Sequence, residues 1–154
     1  MSAADLWAKI EKVNHFEALG LHWSTPPRKI KPTFEEMERL YGPTGEARSA
    51  DPATCDLIWA RARQAYAVLD DAKKRKAHRL DAYQLQWSQQ IELMLDRADI
   101  SIYRRDFEDA YDLLMVCQDI KPTRKAAELL LKLKDKSGAD GKDPDVKDDT
   151  VKQR

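Results

Sequence analysis

The residues able to carry nucleophilic or metal chemistry are few: His15, His22 and His78, with Cys55 and Cys117. Acyl transfer needs a nucleophile held beside a base, and no histidine here has a Ser or Cys at such spacing. A structural zinc site takes about four ligands at tight spacing. Neither cysteine belongs to a CxxC pair, so both read as reduced cytosolic thiols. Asp70-Asp71 is better read as a turn or cap than as a cation site, since one carboxylate pair supplies too few oxygen ligands. Gly42-Pro43-Thr44-Gly45 has no lysine after it and is not a phosphate-binding loop. The sequence therefore offers no catalytic residue, no cofactor-binding residue and no metal ligand set, and the expectation is a protein that is not an enzyme.

Charge excludes other classes. Lys plus Arg and Asp plus Glu both total 27. With no net field, nucleic acid and anionic membranes are not expected partners. The run from Lys73 to Arg79 could be a nucleic-acid or acidic-protein patch, but it is read as a solvated, structural stretch. No stretch of about 18 apolar residues occurs, and the N-terminus lacks a basic region followed by an apolar run. The expected location is the cytoplasm. Trp7 and Trp23 are read as exposed and available for docking, because aromatics are enriched at interfaces.

The elements that must position these residues are helices. Leu6, Ile10, Val13, Phe16 and Leu19 recur at steps of three and four, predicting one helix over 4–19 stopped by Gly20. Thr25 and Pro26 suit the cap and first turn of a second helix, which starts there or near Pro32 and ends at Tyr41. Its inward row is Ile30, Phe34, Met37 and Tyr41. A loop follows to Pro52, with Asp51 as cap. The third helix reaches Leu69 and buries Ile58, Ala62, Ala65, Tyr66 and Leu69. Asp70-Asp71 punctuates it. From Leu80 to Tyr103 the row Tyr83, Trp87, Ile91, Met94, Ala98 and Ile102 predicts one long helix or two joined ones. Arg104-Arg105-Asp106 interrupts it. Phe107, Ala110, Leu114 and Cys117 form the next face, ending before Pro122. Thr123 can cap a last helix bearing Ala127, Leu130, Leu131 and Lys134. Residues 135–154 are too polar to offset the entropy of ordering and are expected to form a disordered tail. No period-two pattern predicts a strand. The fold class is all-α.

The segment from about 14 to 82 resembles the J domain of DnaJ-type co-chaperones. The likeness rests on His15 to Leu21, on Tyr41-Gly42-Pro43-Thr44, on Gln64 to Asp71, and on Lys74-Arg75. Leu19, Ile30, Phe34, Met37, Tyr41, Ala65, Tyr66, Val68 and Leu69 fall where that family places packing residues, with Trp59 at a usual phenylalanine. The resemblance implies two helices packed antiparallel around Phe34 and Tyr66. The departures lie on the family's working surface. Its HPD triplet falls on Gly42, Pro43 and Thr44, so the histidine and aspartate are lost. Two positions that are basic in the family are Glu35 and Glu36, which would repel the acidic face of a DnaK-class ATPase. Basic charge remains at Arg28, Lys29 and Lys31.

Residues 94–122 more weakly resemble one tetratricopeptide repeat, through Ala98, the Arg105-to-Ala110 stretch, Leu114 and Pro122. The usual glycine is Arg105, and the usual tyrosine is Ser101. A plain helical hairpin fits the same residues.

Together these imply a J-like domain over 1–82, a repeat-like hairpin over 83–134 and a charged tail over 135–154. The expected function is a non-catalytic adaptor that binds other proteins and does not stimulate a DnaK-class ATPase. The alternative is a co-chaperone that engages such a chaperone through a shifted basic surface at Arg28, Lys29 and Lys31.

Overall fold

A computed structural model describes residues 1–139. Among them are eight α-helices and no strand. The chain divides into two compact units, Met1–Gln84 and the residues from Leu85 onward.

The first unit opens with α1 (Ala3–Ile10), started by a capping box in which Ser2 Oγ accepts from the Asp5 amide and Asp5 reaches back to the Ser2 amide. The helix expected over 4–19 is broken. Asn14 Oδ1 accepts from the Glu17 amide at 3.0 Å and starts a separate helix, α2 (His15–Ala18). An Asn at this point competes well as a cap, which ends the continuous helix that periodicity alone suggests. Gly20 then takes φ +73°, the left-handed conformation that terminates the segment.

Thr25 does not cap the next helix; its hydroxyl accepts from the His22 amide at 3.0 Å. A 3-10 turn over Pro27–Lys29 leads into α3 (Ile30–Tyr41). Pro32 lies in the first turn of α3, where its missing donor and ring cost little. Asp51 caps α4 (Pro52–Leu69), with Pro52 in its first turn and the Thr54 amide donating to Asp51 Oδ1 at 3.2 Å.

Helices α3 and α4 pack antiparallel. The end of α3 lies by the start of α4, where Arg48 binds both the Tyr41 carbonyl and Asp56. Farther back along α3, Phe34 meets Tyr66 near the far end of α4. The core between them and α1–α2 holds Ile10, Phe16, Leu19, Ile30, Ile58, Ala62, Ala65 and Leu69.

Helix α5 (Ala72–Ala82) contains the basic run, which is not solvated throughout as expected. Lys73, Lys74 and Lys76 are exposed, but Arg75 is 8% exposed and Arg79 is fully buried. Arg75 Nη1 donates to the Leu69 carbonyl at 2.8 Å, closing the end of α4. Arg79 Nε donates to the Trp23 carbonyl at 3.0 Å, and its guanidinium lies 5.2 Å from the Phe16 ring centre. Trp23, expected at the surface, is buried with it at 8% exposure. Trp7 is half-buried against the core.

The second unit comprises α6 (Trp87–Tyr103), α7 (Phe107–Ile120) and α8 (Arg124–Ala139). The row from Leu80 to Tyr103 is thus two helices separated after Ala82. Ile91, Met94, Ala98 and Ile102 face Ala110, Leu114 and Cys117 in the core of this unit. Arg105 turns the chain with φ +63°, and Asp106 caps α7. Thr123 caps α8 by accepting from the Ala126 amide at 3.2 Å. The inward face of α8 is one residue out of register with the expected row: Ala126, Leu129 and Leu133 are buried, whereas Ala127 and Leu131 are exposed. The helix runs past Lys134 through 135–139, the first residues of the expected tail. Residues 140–154 lie outside the described residues. No helix among the described residues is long and apolar enough to cross a membrane.

Candidate functional site

The end of α3 and the loop after it hold the positions singled out in the sequence. A helix leaves its last four carbonyls without internal partners. Here the loop supplies them. The Gly42 amide donates to the Glu38 carbonyl at 2.8 Å, Glu46 to Arg39 at 3.2 Å and Ala47 to Leu40 at 2.9 Å. Arg48 Nη1 donates to the Tyr41 carbonyl at 3.4 Å. The loop is folded back onto the helix so closely that glycine is a steric requirement. A Cβ on Gly42 would stand 2.5 Å from the Glu38 oxygen, and one on Gly45 2.4 Å from the Leu40 oxygen. Gly42 is buried, while Pro43 and Thr44 are exposed. The loop therefore presents a proline ring and a hydroxyl, and no ionisable group, at its tip.

The outer face of α3 is charged. Glu35 and Glu36 are both exposed. Arg39 binds Glu36 on its own helix and Glu46 in the loop, with the Nε–Glu36 bond at 2.9 Å. The hydrogen bond from Arg39 holds the Glu36 carboxyl below the usual range. Glu36 is thus tied down beside the loop. Arg28 and Lys29 lie in the 3-10 turn and Lys31 in the first turn of α3. At 1.5 Å of rise per residue, Lys31 and Gly42 are roughly 16 Å apart along the axis. The basic trio and the loop occupy opposite ends of the helix.

The inner face carries an aromatic stack. Phe34 lies between Tyr66, with ring centres 4.1 Å apart and planes 5° from parallel, and Trp59 at 5.1 Å. Trp59 and Tyr66 are two turns apart on α4, so one ring from α3 fits between them. Burial raises the Tyr66 hydroxyl above its usual range.

A second cluster is invisible in the sequence, where the histidines look scattered. The His15 backbone amide donates to His78 Nε2 at 3.0 Å, and the two rings are 4.5 Å apart. Arg61 of α4 donates to His15 Nδ1 at 3.0 Å and to the Val13 carbonyl at 2.7 Å. Burial, with His78 and Arg61, pushes the His15 imidazole down to about 4. Burial also lowers His78; Arg61 and Arg79 add to this, and Asp81 opposes it. One signal was available: Arg75, Arg79 and Tyr83 recur every four residues, the stripe of an inward-facing helix.

In the second unit, an apolar groove of about 410 Å³ runs between α7 and α8, lined by Tyr111, Met115, Leu130 and Leu131. Burial pushes the Cys117 thiol up to about 11 and raises Cys55. No group of three or more metal-ligating side chains occurs among the described residues. In comparisons with known proteins, no family model, no curated protein and no solved structure matches the chain.

Proposed function

We propose that this chain is a non-catalytic adaptor that binds other proteins, built on a degenerate J-like hairpin followed by a tetratricopeptide-like helical pair. The observation that carries this reading is the loop at Gly42. Its position corresponds by resemblance to the histidine of the HPD triplet, and it has neither a side chain nor space for one. Two further features support the reading. Helices α3 and α4 form an antiparallel pair stacked through Phe34 and Tyr66, the packing that the J-like likeness implies. Arg105 adopts a positive φ at the point where a tetratricopeptide repeat places glycine.

On this reading the hairpin is a docking frame without a trigger. Glu35 and Glu36 present negative charge where an acidic chaperone face would have to approach, and like charges there cost several kcal/mol. The test is a single-turnover assay of a DnaK-class ATPase. The expected result is an unchanged hydrolysis rate; a several-fold stimulation would overturn the proposal.

The rival reading, a co-chaperone using Arg28, Lys29 and Lys31, draws on the grouping of those residues at the start of α3. It predicts stimulation that disappears in a Lys29→Glu, Lys31→Glu variant.

A further inference from the structure

We propose that His15 and His78 form an acid-sensitive latch, which holds α2 against α4 and α5 at neutral pH and loosens progressively in acid. The chemistry follows from which atoms can donate. A guanidinium has only donors, so His15 Nδ1 must accept from Arg61, and the His15 proton resides on Nε2. A backbone amide can only donate as well, so His78 Nε2 must accept, and its proton resides on Nδ1. Both contacts require neutral rings. Protonating His15 sets an N–H against the Arg61 guanidinium. Protonating His78 sets an N–H against the His15 amide. Either event turns a hydrogen bond into a clash of two donors.

The surroundings strengthen this dependence. Arg61 faces the pair from α4, and Arg79 adds a second fixed cation from α5. Asp81, also on α5, is the acid that pulls His78 the other way. Tyr83 and Glu17 stand alongside; Glu17 acts on the Tyr83 hydroxyl. The latch holds a small element, since α2 has four residues, yet it covers the fully buried Phe16. Opening it would expose that ring and the α4–α5 surface beneath. Because the folded rings bind protons less readily than free histidine, the closed state is fully favoured above about pH 6.5. It weakens as pH falls toward the lowered value of about 4 for His15.

The size of the effect follows from the same linkage. At pH 5 a ring lowered from about 6.5 to about 4 would favour opening by roughly thirtyfold, and partial solvent exposure reduces this to roughly tenfold. Hydrogen exchange of the full chain at pH 7 and pH 5, expressed as protection factors, reads this directly. The expected result is a roughly tenfold loss of protection at residues 15–21 with α3 amides unchanged. A His15→Asn, His78→Gln variant keeps an acceptor at each position and removes both titrations, so its protection there should not depend on pH. Unchanged protection in the wild-type protein would overturn the proposal, as would an equal loss in the variant. Should the variant fail to fold, proton NMR of the wild-type rings decides. His15 and His78 titrating below free histidine, in step with the loss of protection, supports the latch; both titrating near 6.5 overturns it.

Discussion

Placing a histidine at position 42 should damage the protein rather than confer ATPase stimulation. The smallest version of the test is Gly42→Ala, because Gly42 has φ −69°, which alanine accepts without backbone strain. The cost is steric. The new Cβ would stand 2.5 Å from the Glu38 oxygen and 3.0 Å from Glu38 Cγ. Relieving such overpacking costs about 1–3 kcal/mol. The movement also breaks the 2.8 Å bond from the Gly42 amide to that oxygen, worth about 1 kcal/mol. Against this, alanine restricts the unfolded chain and returns about 0.4–1 kcal/mol. The net loss is about 2 kcal/mol, equivalent to a fall in Tm of roughly 8–16 °C for a unit of this size. Urea denaturation followed by tryptophan fluorescence, to which Trp23 and Trp59 of this unit contribute, would measure it. Gly42→His carries the same Cβ and a ring besides, so it should lose at least as much. Thr44→Asp, on an exposed site, should stay within about 0.5 kcal/mol. The double variant Gly42→His, Thr44→Asp should be destabilised and still fail to stimulate a DnaK-class ATPase. A Gly42→Ala protein as stable as wild type would refute the steric reasoning. A double variant that folds well and stimulates hydrolysis would refute the functional reasoning with it.

Other consequences are simpler to check. Phe34→Ala empties the space between Trp59 and Tyr66 and should cost about 2–3 kcal/mol by denaturation, less than a fully buried phenylalanine because the site is partly open. Arg105→Gly should be more stable than Arg105→Ala by about 1 kcal/mol, since both lose the contact with Phe107 and only glycine adopts φ +63° freely. Both thiols are buried and pushed away from thiolate, Cys117 to about 11, so neither should react with an aromatic disulfide reagent at pH 8 until urea is added.

Much of the helical plan was legible because the signals are local. Asp51-Pro52 and Thr123 marked helix starts through a side chain and an amide three residues apart. The break at Asn14 is not legible in the periodicity, because the apolar row from Leu6 to Leu19 continues straight through it. Helix α1 ends at Ile10, and Asn14 starts a new helix by capping it. The inward row of α8 was misplaced by one residue, because Leu129, Leu130 and Leu131 are consecutive and any of them could lead a stripe.

What the sequence determined by itself was an all-helical fold over the described residues with its main caps and interruptions, and the absence of ionisable side chains at positions 42 and 44. Tertiary structure alone decided the rest. It turned Arg75 and Arg79 inward to serve the Leu69 and Trp23 carbonyls, brought His15 against His78 across 63 positions, and left no room for a side chain at Gly42. The physical reason is range. Capping and periodicity act within a turn or two of helix, whereas the space beside an atom and the partners of a buried cation are set by chain segments that sequence spacing does not relate.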